Sequence, residues 1–363
     1  MDRVVLSTGG TGGHIFPALA VAESIRESFP RAELLFLGSE HGPEGRLARE
    51  AGIAFVGLPA RGILGRGLRS LGSIWWMVRS MARCWRTYAR FQPHIVVGFG
   101  SYASFVPVLL AAWKRIPTAV HEQNAYPGVT NRVLSKRVQR IFLTFPDDQG
   151  WFDPKRVRVT GNPVRTTLID LPDKDKTYTH QSGHNILVLG GSQGAQAVNE
   201  AMVQAGPRLA SEGVHILHQA GERHYQEVCR QYERYSSSRV QVVPFISDMA
   251  QAYAWSDLVV SRAGASTVAE LTVIGRPSVL IPFPFAAHQH QLQNAKLLEK
   301  AGAALVVEQS YLPEVDLGDM ILNLLALPEK LVAMGRAARE LGQPAATRTI
   351  VQELEELAAE QGK

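Results

Sequence analysis

The feature that most constrains this chain is a set of short apolar runs that are continuous rather than alternating. In the first half they occupy residues 4–7, 34–37, 54–58, 95–98, 118–121 and 141–144, with helix-length segments such as 17–28 and 71–91 between them. A run without alternation predicts a strand buried on both faces, and such strands belong to parallel sheets covered by helices. After a polar, charged stretch over 171–184 the pattern restarts, with runs at 186–189, 214–217, 240–244, 258–261, 279–282 and 304–307. The expected fold class is α/β, with two doubly wound parallel-sheet domains. A chain of 363 residues is long enough for two cores, and the break at Gly161-Asn162-Pro163 divides it into 1–163 and 164–342.

Each series opens with a strand feeding a Gly-rich turn, Thr8-Gly9-Gly10-Thr11-Gly12-Gly13-His14 in the first and Gly190-Gly191-Ser192-Gln193-Gly194 in the second. Glycine lets backbone N–H groups approach a diphosphate, and the helix that follows favours negative charge. Such glycines also simply make tight turns; their recurrence at equivalent places in two halves favours a ligand. The dinucleotide pattern G-x-G-x-x-G, started at Gly10, reaches Ile15 where a small residue belongs. A dinucleotide is therefore disfavoured, although Glu40 after the second strand keeps it open. Ligands of open α/β sheets bind beyond the carboxyl ends of the strands, so both turns are expected to face one cleft.

Three further segments carry chemistry. His14 follows the first turn near a helix start, where an imidazole suits a general base, with a packing histidine as the plainer reading. Ser261-Arg262-Ala263-Gly264-Ala265-Ser266-Thr267-Val268-Ala269-Glu270 leaves a strand through small residues and enters a helix. Its amides would stabilise the charge of a departing diphosphate, and Glu270, one turn in, would accept from ribose hydroxyls. Beyond Pro282-Phe283-Pro284, the amides of Gln289, Gln291, Gln293 and Asn294 suit sugar hydroxyls. Metal binding by His288 and His290 is discounted, because their spacing does not share a helix face. Asp173-Lys174-Asp175 reads as a solvated loop, so neither a metal nor a cofactor is expected.

Charge adds a surface. Residues 1–162 hold 21 Lys+Arg against 11 Asp+Glu, and residues 163–363 hold 17 against 22. From Ala51 to Val120 there is no acidic residue. Within that basic stretch Leu71, Ile74, Val78, Met81, Trp85 and Tyr88 form a helical apolar stripe, expected to be core. Arg79, Arg83, Arg86 and Arg90 form an arginine row, with Trp76 beside it and Trp75 at its border, after Arg61, Arg66 and Arg69 in a Gly-rich loop. Arginine with tryptophan on a surface fits anionic headgroups. No nucleic-acid motif accompanies the row, so nucleic acid is not expected as a partner. No run of about 18 apolar residues occurs, the N-terminus is too short for a signal peptide, and two distant cysteines suggest a reducing compartment.

Together the Gly9–His14 turn, His121-Glu122-Gln123-Asn124, Gly161-Asn162-Pro163-Val164-Arg165, the Gly190–Gly194 turn and the 265–270 stretch resemble the bacterial MurG family. These are the family-28 transferases that move GlcNAc from UDP-GlcNAc to undecaprenyl-pyrophosphoryl-MurNAc-pentapeptide, lipid I, giving lipid II in peptidoglycan synthesis. The resemblance runs from the first strand to about Gly302. It implies a GT-B fold, two Rossmann-like domains facing across a cleft, with a C-terminal helix at about 343–363 packing back on the first. It also implies inverting transfer to the MurNAc C4 hydroxyl. The donor would meet Arg165, Ser192, Ile246, Ala265, Ser266, Thr267, Val268, Ala269, Glu270 and Gln291, with Gln289 an alternative to Gln291. Thr11, Gly12, Gly13 and Asn124 are placed with both donor and acceptor, Tyr102 and Glu122 with the acceptor, and His14 as the base. Trp75, Trp76, Arg79 and Arg83 would touch the anionic cytoplasmic face of the bacterial inner membrane, making the protein peripheral. The family's work leaves other cell-wall and division proteins open as partners. A UDP-GlcNAc 2-epimerase, an NAD-dependent oxidoreductase and a membrane-bound sugar-nucleotide sensor are the competing classes.

Overall fold

Because each run is apolar on both faces, successive residues can enter opposite cores, and in the first strand they do: Val5 packs in one buried cluster, Val4 and Leu6 in another. The computed structural model describes residues 1–59, 71–171, 184–191, 194–234, 238–286 and 289–360, with the side chains of 71–75 outside that description. The chain forms two units, one of Met1–Arg165 with Gln343–Lys363 and the other of Thr166–Gly342.

The first unit alternates β1 (Arg3–Ser7), α1 (Gly12–Ser28), β2 (Glu33–Ser39), α2 (Glu44–Glu50), β3 (Ala54–Leu58), α3 (Leu71–Phe91), β4 (Ile95–Gly98), α4 (Phe105–Trp113), β5 (Thr118–Glu122), α5 (Val129–Leu134), β6 (Arg140–Leu143) and β7 (Val157–Val159). Its parallel sheet has the order β3-β2-β1-β4-β5-β6-β7. The order reverses between β1 and β4, where Ser7 is opposite both Leu37 and Gly98. That switch point opens the crevice in which such sheets bind ligands, and it carries the Gly9–Gly13 turn.

The second unit runs α6 (Thr166–Ile169), β8 (Asn185–Leu189), α7 (Gln196–Ser211), β9 (His215–Gln219), α8 (Tyr225–Glu233), β10 (Val240–Val243), α9 (Met249–Trp255), β11 (Leu258–Ser261), α10 (Ala265–Ile274), β12 (Ser278–Leu280), α11 (His290–Lys300), β13 (Ala304–Val306), α12 (Leu317–Leu325) and α13 (Pro328–Leu341). Its parallel order, β10-β9-β8-β11-β12-β13, reverses between β8 and β11. The last helix, α14 (Ala346–Glu360), belongs to the first unit. Ile350, Val351, Leu354 and Leu357 join the cluster of Val4, Ala18 and Val21. Glu353 pairs with Arg140 at 3.1 Å and with Arg158 at 3.0 Å.

Every apolar run read as a strand is one. The strand that reading missed is β7, three residues with Arg158 at their centre, too short and too polar to stand out. Helix α1 also starts earlier than Pro17, which lies inside it.

Candidate active site

In the first unit the switch point is shaped by two backbone turns. Gly10 has φ +87°, and its N–H donates to Glu44 Oε1 at 3.0 Å, so a fully buried carboxylate braces the turn from below. After β4, Gly100 (φ +82°) and Ser101 (φ +66°) both take left-handed φ. For Ser101 this costs of order 1–3 kcal/mol and marks a chain bent to a purpose. A Cβ at Gly100 would lie 3.2 Å from His14 Nδ1 and Cε1, so only glycine leaves the imidazole its place.

His14 lies in the first turn of α1, half-buried, with Nδ1 2.9 Å from Gln123 Oε1. Gln123 Nε2 donates to the Phe99 carbonyl at 3.0 Å. Thr11 is the exposed N-cap of α1 and makes no side-chain capping bond, with Gly12 and Gly13 opening the helix behind it. Tyr102 is partly buried against the core, and Asn124 is half-buried with Nδ2 donating to Glu122 Oε1 at 3.3 Å.

Glu122, expected on the acceptor side, is a buried residue. Its carboxylate is 2% exposed. Oε1 accepts from the Asn124 N–H, and Oε2 accepts from the Gly128 N–H at 3.0 Å and Asn131 Nδ2 at 2.8 Å. It folds the loop after β5, which carries Asn124, around itself. Beside it His121 is fully buried, with Nε2 3.1 Å from the Gly161 carbonyl oxygen, and burial lowers its pKa from 6.5 to about 4. Arg165, at the end of this unit's main segment, stacks over Phe16 at 5.2 Å.

In the second unit, α10 enters through an extended Gly264 with no side-chain cap. Its first turn, Ala265, Ser266 and Thr267, therefore offers the N-terminal end of a helix to a phosphate. Val268 and Ala269 are buried and pack the helix down. Glu270 accepts from the buried Tyr253 Oη at 2.9 Å, which holds the carboxylate at the rim, 9% exposed. Gln291 Oε1 accepts from the Phe283 N–H at 3.0 Å, which turns the amide nitrogen away from that backbone. Ile246 is nearly buried between β10 and α9. Gly190 N–H donates to the Gln219 carbonyl, and Asn199 Nδ2 to that of Ala220, so the second Gly-rich turn is also braced from beneath. Ser192, Asp173, Asp175 and His288 lie outside the described residues, as do Arg61, Arg66 and Arg69. Among the described residues no cluster of three His, Cys, Asp or Glu side chains is arranged to hold a metal.

Sequence reasoning assigned no role to Glu44, Gln123, Asn199 or Tyr253. For Gln123 a signal existed: it directly follows the end of β5, two residues after His121. Tyr253 lies 17 residues from Glu270, and nothing local announces the pair.

Helix α3 corrects the expected membrane face. Trp76 is 7% exposed and packs in the core with Cys84 and Tyr88, so it is not beside the arginines at the surface. The buried ridge is Trp76, Ser80, Cys84 and Tyr88, and Tyr88 Oη donates to the Pro107 carbonyl at 2.9 Å. Val78 and Trp85, read as core, are 55% and 54% exposed. The i, i+4 ridge wins because small Ser80 and Cys84 allow close approach, which a hydrophobicity count does not weigh. Lys114 Nζ lies 3.8 Å from the Trp85 ring centroid, and neighbouring Trp113 is 58% exposed. Arg79, Arg83, Arg86 and Arg90 line a groove of about 760 Å³ with Val56 and Pro59. Arg83 pairs there with Glu40 at 3.4 Å. The described side chains of α3 begin at Trp76, which leaves Trp75 outside them. Among the described residues no helix is long and apolar enough to cross a membrane.

Residues 4–143 match the glycosyltransferase family 28 N-terminal domain, and residues 185–353 match the family's C-terminal domain. A UDP-N-acetylglucosamine--N-acetylmuramyl-(pentapeptide) pyrophosphoryl-undecaprenol N-acetylglucosamine transferase of Nitratidesulfovibrio vulgaris is 49% identical, over 100% of this chain and 99% of its own length. The crystal structure of Acinetobacter baumannii MurG is similar at a TM-score of 0.78 and 30% identity, covering 98% of this chain and 100% of that one. A Neisseria meningitidis UDP-GlcNAc 2-epimerase bound to UDP-GlcNAc reaches a TM-score of 0.67 at 15% identity, over 98% of this chain and 100% of that one. At that identity the likeness concerns the fold alone. Matched in both halves, and nearly half identical to a relative along its whole length, the chain belongs to glycosyltransferase family 28.

Proposed function

We propose that the protein transfers GlcNAc from UDP-GlcNAc to the C4 hydroxyl of MurNAc in undecaprenyl-pyrophosphoryl-MurNAc-pentapeptide, with inversion, in the synthesis of peptidoglycan. The observation that carries the reading is the full-length identity of 49% to a relative named for that transfer. The residues fit the chemistry. The α10 entry takes the diphosphate and the negative charge that grows on it as UDP leaves. Glu270, held by Tyr253, accepts from the ribose, and the Gln291 amide nitrogen donates to the sugar. In the first unit His14 accepts the proton of the acceptor hydroxyl as that oxygen bonds to the anomeric carbon and the bond to UDP breaks. Thr11, Gly12 and Gly13 meet a phosphate at the α1 entry.

The working place is the cytoplasmic face of the plasma membrane. Val78, Trp85 and Trp113 supply an apolar patch, with Lys114 and the arginine row of α3 for anionic headgroups. Product analysis tests the whole reading: UDP-GlcNAc with a lipid I analogue should yield the disaccharide and UDP. Epimerised UDP-sugar formed without acceptor would overturn it. Replacement His14→Ala should lower kcat by roughly 10²–10⁴-fold; near-normal turnover places the base elsewhere.

A further inference from the structure

We infer that Gln123 is a positioning residue that holds His14 in the Nδ1–H tautomer and so leaves Nε2 as its accepting nitrogen. The inference rests on the reading of His14 as the base. Gln123 is 1% exposed, and its amide has two partners: the Phe99 carbonyl oxygen at 3.0 Å and His14 Nδ1 at 2.9 Å. A carbonyl only accepts, so the NH2 end must face Phe99. The oxygen end then faces His14, and because an amide oxygen also only accepts, Nδ1 must carry the hydrogen. A neutral imidazole has one N–H, which puts its lone pair on Nε2. Reversing the amide would set two acceptor oxygens 3.0 Å apart in a buried site, with no hydrogen between them.

The frame behind this arrangement is rigid. Phe99 is fully buried, and its N–H donates to the Ser7 carbonyl at 2.8 Å, at the switch point of the sheet. The left-handed turn at Gly100 follows at once and leaves room for the ring. Free histidine in water favours the opposite tautomer, so without Gln123 the lone pair would reside mainly on Nδ1. During transfer the hydroxyl proton moves to Nε2, the new C–O bond forms, and the electron pair of the broken bond leaves with UDP. The Nδ1–H bond to Gln123 is kept throughout, so Gln123 exchanges no proton.

The test combines spectra and kinetics on the full chain. With 15N-labelled histidine, above the imidazole pKa, the His14 resonances (identified by their loss in His14→Gln) should show a protonated Nδ1 and an unprotonated Nε2. Gln123→Met should move them toward Nε2–H and lower kcat roughly 10- to 100-fold, part of what a general base supplies. KM for UDP-GlcNAc should stay within about twofold, since Gln123 does not contact the donor. Gln123→Glu in its protonated form donates its O–H to the Phe99 carbonyl and accepts from Nδ1–H with its other oxygen, and at a pH that keeps it protonated should restore both the tautomer and most of kcat. An Nε2–H His14 in the unsubstituted chain overturns the inference without any variant having to fold, and so does an unchanged kcat in Gln123→Met. Full turnover by His14→Ala alongside an Nδ1–H spectrum sinks the base assignment alone and leaves the tautomer standing.

Discussion

Single hydrogen bonds decide what the candidate site residues can do. Glu122 and Glu270 are both buried carboxylates, the first held by its own loop and the second accepting from the Tyr253 phenol of another helix. Replacing Tyr253 by Phe removes that brace and leaves the ring in place. Donor affinity, measured by calorimetry with UDP, should weaken about five- to tenfold, the worth of one ordinary hydrogen bond. An unchanged UDP affinity would mean that Glu270 does not hold the ribose. Gly100 shows the opposite kind of control, where a missing Cβ is what the imidazole requires. In the sequence Gly100 is one glycine among 32, and only its neighbour explains it.

At the scale of one element, α3 separates two roles that a helical stripe runs together. Its buried ridge ends in Trp76, and its exposed side carries Val78 and Trp85. Trp76→Ala should therefore cost about 3–5 kcal/mol in urea unfolding, as emptied core sites do. The pair Trp85→Ala with Trp113→Ala should leave the unfolding midpoint within experimental scatter. That pair should also lower binding to phosphatidylglycerol vesicles at least fivefold (about 1 kcal/mol). Unchanged vesicle binding in the pair would remove this patch from the membrane reading. The arginine row was legible in the sequence because four arginines at helical spacing have nowhere to go but solvent. The apolar side was not, because Ser80 and Cys84 lie in the core for their size.

For the molecule as a whole, folding keeps a histidine neutral in each unit, His121 in the first and His218 in the second. Burial lowers the pKa of His121 in the first unit to about 4, and that of His218 in the second to about 3, from 6.5. Above pH 6.5 neither matters, since both states are unprotonated. Below it the unfolded chain takes up protons that the folded chain refuses, so stability falls as pH falls through this window. By pH 4.5 the loss should be about 2–3 kcal/mol for each histidine. Urea midpoints at pH 7, 5.5 and 4.5 should therefore decline, and less steeply in His218→Gln. A flat midpoint over that range would contradict the burial of both rings.

What the sequence determined by itself was the architecture: short continuous apolar runs alternating with helix-length segments make a parallel sheet covered on both faces, and glycine after a strand makes the turn tight. The family motifs added the chemistry for the same reason, since a strand end, its turn and the next helix are neighbours along the chain. Tertiary structure alone decided which side chain reaches which. His14 and Gln123 are 109 residues apart, and Gly10 and Glu44 are 34 apart. Such pairs form only when the sheet order brings the ends of β1, β2, β4 and β5 together, and hydrogen bonds of that range leave no periodic trace in a sequence.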